Sequence, residues 1–156
     1  MDQTVYIETT IPSSYYDERP EAEMVARQHW TREWWDARRA EYSLFTSVAV
    51  LDELRKGSHP GADAKLALIR SLQLLEITRE VVEIAGVYIQ RYVMPSDPGG
   101  DALHLALATH YKIDVLLTWN CEHLANENKM THIRRTNALM GLWTPDIVTP
   151  LNLLGG

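Results

Sequence analysis

The sequence holds one cysteine, Cys121, so no disulfide can form within the chain. A fold stapled by disulfides is excluded, and the composition fits a reducing compartment. No apolar run approaches the length needed to cross a bilayer. The opening Met-Asp-Gln-Thr-Val-Tyr-Ile-Glu has neither the basic region nor the apolar region of a signal peptide. The expectation is a soluble cytoplasmic protein with no membrane partner. Also missing are a Gly-rich phosphate loop, a Gly-x-Ser-x-Gly elbow and a dinucleotide-binding fingerprint. With Cys121 alone, no Cys/His spacing suits zinc. Positive charge is in deficit, with a formal net charge of −6. That argues against broad electrostatic binding of nucleic acid. It does not exclude a nuclease, because metal-holding carboxylates add to the negative count and a local basic patch can coexist with an acidic total.

What is present fits one domain spanning residues 1–156, with 46% hydrophobic residues to build its core. Residues 4–7 read as a strand, with Glu8 at its carboxyl end. Residues 9–20 carry two prolines and no helical period, so they read as a loop with at most one short turn. Ala22, Ala26, Trp30, Trp34 and Ala37 recur at helical spacing and predict a helix over 21–40. Residues 43–46 form a second strand candidate. Ser47 then reads as the cap of a helix over 48–56, stopped by Gly57.

Pro60 and Gly61 mark a turn, residues 63–72 a helix and 74–77 a strand. Thr78 can cap a helix over 80–92 whose apolar face is Val81, Ile84, Ala85, Tyr88 and Tyr92. Residues 95–100 break the chain before a helix over 101–111. Residues 115–118 and 146–149 are further strand candidates, with partly helical chain over 122–142. Strands that alternate with helices predict an α/β fold with a central parallel sheet covered on both faces. Ligands bind such sheets beyond the carboxyl ends of the strands, near a switch in strand order. Glu8 and Asn120 both follow strands.

Asp-Ala-Leu-His-Leu-Ala-Leu-Ala at 101–108 is apolar around almost its whole circumference, so it predicts a buried helix. Asp101 and His104 are the polar exceptions, and their i,i+3 spacing puts them on one face. A buried carboxylate needs a partner or a metal. From spacing alone Asp101 is either the cap of its own helix or a metal ligand. His104 is either a core histidine or a partner of the site. Glu53 lies beside the core-facing Leu51 and Leu54, and taken alone it and Asp52 read as solvated helix residues. Asn120 and His123 read equally as a turn residue and the start of a surface helix. If Glu8, Glu53 and Asp101 converge at one sheet edge, they offer hard oxygen ligands suited to Mg²⁺ or Mn²⁺. Trp30, Trp34 and Trp35 crowd one helix, so packing in the core or a subunit interface is expected. Arg134 and Arg135 are either RNA-backbone contacts or a solvated helix face.

Four stretches in order carry a family resemblance. They are Val-Tyr-Ile-Glu-Thr-Thr-Ile-Pro at 5–12, Thr-Ser-Val-Ala-Val-Leu-Asp-Glu-Leu-Arg-Lys-Gly at 46–57, Gly-Asp-Ala-Leu-His-Leu-Ala-Leu-Ala at 100–108 and Val-Leu-Leu-Thr-Trp-Asn at 115–120. Together they resemble PIN-domain proteins, including the VapC-type toxin ribonucleases. The resemblance implies a three-layer α/β/α fold and an acidic pocket holding Mg²⁺ or Mn²⁺, with cleavage of single-stranded RNA. It maps the family's first three acids to Glu8, Glu53 and Asp101, with Ser47 and Asn120 as supporting polar residues. A homodimer and an antitoxin partner are also implied. Two departures stand out. Glu8 replaces the usual Asp, and Asn120 or His123 stands where a fourth acid is common, with Glu122 nearby. The rivals are a catalytically weakened PIN-like module that binds RNA or protein, and a metal-dependent phosphatase, for which Glu8 is the wrong nucleophile.

Overall fold

A computed structural model describes residues 2–56, 61–91, 93–95 and 100–155. Four sequence expectations fall outside it: the stop at Gly57, the Pro60 half of the Pro60–Gly61 turn, Tyr92 on its helix face, and residues 96–99 of the break before Asp101. Five strands, β1 (Gln3–Ile7), β2 (Tyr42–Ser47), β3 (Gln73–Leu75), β4 (Val115–Leu117) and β5 (Asp146–Val148), form one sheet in the order β3-β2-β1-β4-β5. Every pairing is parallel. Among the described residues eight α-helices flank the sheet, giving the expected three-layer α/β/α arrangement: α1 (Thr10–Tyr15), α2 (Ala22–Arg38), α3 (Val48–Lys56), α4 (Ala62–Ile69), α5 (Arg79–Gln90), α6 (Asp101–His110), α7 (Glu127–Met140) and α8 (Pro150–Leu153).

The order fixes where a site can form. From β1 the chain moves to β2 and β3 on one side, then returns to place β4 and β5 on the other. Strand order therefore switches between β1 and β4, and the crevice lies beyond their carboxyl ends. Ile7 is in register with Leu117 there, and the Glu8 N–H donates to the Leu117 carbonyl at 3.3 Å. Strands buried on both faces read as continuous apolar runs, and β4 is buried throughout. Alternation along β1 sends Val5 and Ile7 to one face and Tyr6 to the other, and all three are fully buried.

Local chemistry sets the helix ends. Thr78 caps α5 by accepting from the Val81 N–H, as expected. The Asn126 side chain accepts from the N–H groups of Asn128 and Lys129 to start α7, and Gly141, at φ +68°, ends it in the left-handed conformation. Thr149 and Asn152 form a capping box around α8, with Pro150 at its start.

Two readings need correction. Residues 10–15 are helical, not loop: Pro12 falls in the first turn of α1, where its missing N–H costs nothing. Thr149 is the cap of α8, which ends the last strand at Val148. Of the tryptophans crowded on α2, Trp34 and Trp35 are buried within this chain, 6.2 Å apart edge to face, whereas Trp30 is half-buried and Trp143, after α7, is exposed. Helix α2 packs against α1 and α8, so its buried stripe is wider than a single helix face allows. No helix among the described residues is long and apolar enough to cross a membrane.

Candidate active site

Glu8 leaves β1 at the strand-order switch and is 4% exposed. Its Oε1 accepts the Thr10 N–H at 2.9 Å, the Thr10 hydroxyl, and the Thr118 hydroxyl at 2.9 Å. Thr10 Oγ1 in turn accepts the Trp119 N–H at 2.8 Å, and Thr118 Oγ1 accepts the Asn120 N–H at 2.9 Å. The loops after β1 and β4 are thus tied together through one carboxylate oxygen. Glu8 Oε2 has no hydrogen-bond partner among the described residues. Burial raises the Glu8 pKa, opposed by the charge of His104 and the hydrogen bonds from Thr10 and Thr118.

Asp101 opens α6, but it does not cap it. Gly100 occupies the cap position, with no side-chain cap bond. The Asp101 carboxylate instead accepts from Asn120 Nδ2 at 2.9 Å on Oδ1 and from His123 Nδ1 at 3.0 Å on Oδ2. Asn120 Oδ1 accepts the His123 N–H at 3.0 Å, which fixes the amide's orientation. Asn120 and His123, which stand where an acid was expected, therefore hold the acid of α6. Glu122 points to solvent, 3.6 Å from His123 Nε2.

Glu53 lies on α3, and its Oε1 stands 2.6 Å from His104 Nε2. His104 is 1% exposed, and its Nδ1 meets the Tyr6 hydroxyl at 2.7 Å. Tyr6 in turn meets Ser47 Oγ at 2.7 Å. Ser47 precedes α3 as expected, but its hydroxyl is turned to Tyr6, its one hydrogen-bond partner among the described residues. Burial pushes the His104 pKa down, yet the hydrogen bond and charge of Glu53, with the charges of Glu8 and Asp101, leave it raised overall. Burial, reinforced by the charges of Glu8 and Glu53 against the Ser47 hydrogen bond, holds Tyr6 well above the usual phenol range. Tyr6 is therefore a neutral phenol.

Hydrogen bonds relate the three candidate acids: Glu8 accepts from Thr118, Thr118 accepts the Asn120 N–H, Asn120 donates to Asp101, and Glu53 meets His104, one turn along α6 from Asp101. The acids are not gathered into a ready cage: among the described residues, no three His, Cys, Asp or Glu side chains stand together to hold a cation. Each acid is turned to donors of its own, Glu8 to Thr10 and Thr118, Glu53 to His104, and Asp101 to Asn120 and His123. The donor chemistry nonetheless suits a hard cation, with carboxylate oxygens from three stretches of chain and Glu8 Oε2 without a partner among the described residues. Tyr6, Thr10 and Thr118 were not singled out from the sequence. A tyrosine in an otherwise apolar central strand was the available signal for Tyr6. Arg27 on α2 places its guanidinium 5.3 Å over the Trp119 ring, with Nη1 3.4 Å from the Trp119 carbonyl, one residue before Asn120. Arg134 and Arg135 lie on the exposed face of α7.

Among curated proteins none matches this chain. Several solved structures share its fold. VapBC2 from Rickettsia felis, bound to a DNA fragment from their promoter, aligns with a TM-score of 0.56 at 14% identity over 94% of this chain and 98% of that one. VapC20 of Mycobacterium tuberculosis, described as a sarcin–ricin loop cleaving toxin, aligns at 0.55 and 19% identity over 72% and 86%. FitAcB from Neisseria gonorrhoeae aligns at 0.53 and 13% identity over 94% and 98%. At such identities the likeness is one of fold. The sequence itself goes further, since residues 5–120, which contain Glu8, Glu53, Asp101 and Asn120, match the family described as PIN domain. By that match over most of its length, with the parallel sheet and the acidic crevice at its strand-order switch, the chain belongs to the PIN domain family.

Proposed function

We propose that this protein is an Mg²⁺- or Mn²⁺-dependent endoribonuclease acting on single-stranded RNA, and the toxin of a type II toxin–antitoxin pair. The observation that carries the reading is the hydrogen-bonded run from Glu8 through Thr118 and Asn120 to Asp101, with Glu53 bonded to His104 one turn along the same helix. In this reading the three carboxylates hold the cation. When bound, such a cation lowers the pKa of a coordinated water and neutralises phosphate charge.

The chain's own groups prepare the site. Thr10 and Thr118 fix one oxygen of Glu8 and leave the other for a ligand. Asn120 and His123 orient Asp101. Arg27 offers a guanidinium at the Trp119–Asn120 edge, where an RNA phosphate meets a cation in an otherwise acidic site. The toxin role draws on the solved structures of similar fold, one of which is described as a toxin that cleaves the sarcin–ricin loop.

A second reading, a PIN-like module that binds RNA or protein without cleaving it, is favoured by one observation. The acids are not assembled into a cage, and Asn120 stands where a fourth acid is common. Incubation of the purified chain with single-stranded RNA separates the two readings. Cleavage is expected with Mn²⁺, abolished by a chelator and restored by excess metal. The protein of a neighbouring reading frame should suppress it if it is the antitoxin. Binding of RNA without cleavage at any Mn²⁺ concentration would favour the second reading.

A further inference from the structure

We infer that Ser47, Tyr6 and His104 form a positioning chain that holds the Glu53 carboxylate at the acidic site, an inference that rests on the metal reading above. The four residues come from β2, β1, α6 and α3, with Tyr6 41 residues from Ser47 and 98 from His104. Successive heavy-atom distances are 2.7, 2.7 and 2.6 Å. Ser47, Tyr6 and His104 are buried, while the Glu53 side chain at the open end is 31% exposed.

Proton bookkeeping gives the chain one direction at that end. A carboxylate only accepts, so His104 Nε2 carries the proton. Nδ1 then has two options. It accepts from the Tyr6 phenol while Ser47 donates to Tyr6, or it donates to Tyr6 while Tyr6 donates to Ser47. Both arrangements satisfy His104 and Tyr6, and both direct Nε2–H at Glu53. The positioning therefore holds in either charge state of the imidazole. A histidine kept for packing alone has no need of a partner at the solvent edge. Here one ring nitrogen is anchored in the sheet, and the other reaches a carboxylate on the opposing helix. Glu53, a flexible side chain on a half-exposed face, is thereby held in one rotamer before any ligand arrives.

The test uses the full chain as wild type, His104→Gln, His104→Met and Tyr6→Phe, with Mn²⁺ affinity by titration calorimetry and folding by thermal melting. Partners of this kind typically change metal affinity on the order of 10–100-fold. Met fills the space without a donor, so about a 10-fold loss or more is expected. Gln places an amide N–H near the Nε2 position, so it should recover most of the affinity even if it melts no higher than Met. Tyr6→Phe, which keeps the ring and drops the hydroxyl, should weaken Mn²⁺ binding while the chain stays folded, and it decides the matter if His104→Met does not fold. In the metal-free wild type, ¹⁵N spectra of the imidazole should show a protonated Nε2. Equal Mn²⁺ affinity in wild type, Met, Gln and Phe variants would overturn this inference and leave the metal site standing. A bare Nε2 would do the same. A wild type that binds no Mn²⁺ would overturn both.

Discussion

Asp101→Asn should sharply weaken Mn²⁺ binding and RNA cleavage while the chain stays folded. The side chain is 15% exposed, and its two oxygens accept from two different donors, Asn120 Nδ2 and His123 Nδ1. An amide has one acceptor and one donor end, so Asn120 Nδ2 still meets an oxygen, and His123 Nδ1 keeps its contact by carrying its proton on Nε2 and accepting instead. Asn120 keeps its orientation because its Oδ1 accepts the His123 N–H. The fold should lose about 1 kcal/mol at most, since two charge-assisted hydrogen bonds become neutral ones at a partly buried position. The metal loses far more, because a hard cation draws its affinity from anionic oxygen. Calorimetric titration with Mn²⁺ and initial rates on single-stranded RNA give the two readouts. Affinity should fall at least tenfold, and the rate by roughly two to three orders of magnitude, as when a group that stabilises transition-state charge is lost. Mn²⁺ binding equal to wild type would make Asp101 an anchor for the 120–123 turn and nothing more.

Glu8→Gln should do the opposite to stability and the same to activity. The Glu8 pKa is raised in the folded chain, chiefly by burial. A raised acid binds its proton more tightly folded than unfolded, so its contribution to stability is fully present below the unfolded pKa and is lost as pH rises through the folded value. At neutral pH the ionised Glu8 is therefore a net cost. Gln removes the charge and keeps an oxygen to accept from Thr10 and Thr118. A gain on the order of 1 kcal/mol corresponds to about 2–4 °C in Tm for a chain of this size. Melting of the metal-free proteins across pH checks both sign and cause: the variant should melt higher near neutrality, and the gap should close as the pH falls. Mn²⁺ affinity should drop at the same time, since the unpartnered Oε2 becomes an amide nitrogen. A variant that melts lower than wild type at neutral pH would show that ionised Glu8 is stabilising, against the burial argument. Stability given up at a site for function is expected where a carboxylate waits buried for a cation.

How much of this was legible in the sequence depended on range. β1, α6 and β4 were readable because their signals are local: a short apolar run before Glu8, an apolar helix broken only by Asp101 and His104, and Val-Leu-Leu before Thr118. The family motifs then named the acids. The links between them were not readable, because periodicity says nothing about which polar atoms meet across the fold. Tyr6 and His104 are 98 residues apart, His104 and Glu53 51, and Glu8 and Thr118 110. The two shortest α-helices were missed for a related reason. α1 has six residues and α8 four, too few for a periodic pattern, and each is held by contacts with α2. The burial of both Trp34 and Trp35 was unreadable for the same reason, since faces counted on an isolated helix do not show that α2 is covered from two sides.

The central claim is that Glu8, Glu53 and Asp101 share one cation. The most direct measurement is a crystal structure of the wild-type chain with Mn²⁺, located by its anomalous scattering. The account predicts a peak in the crevice beyond β1 and β4, with oxygen ligands from these carboxylates at the distances of a six-coordinate hard cation and Glu53 still bonded to His104. A chain saturated with Mn²⁺ that shows no peak in that crevice, or a peak held by other residues, would contradict it.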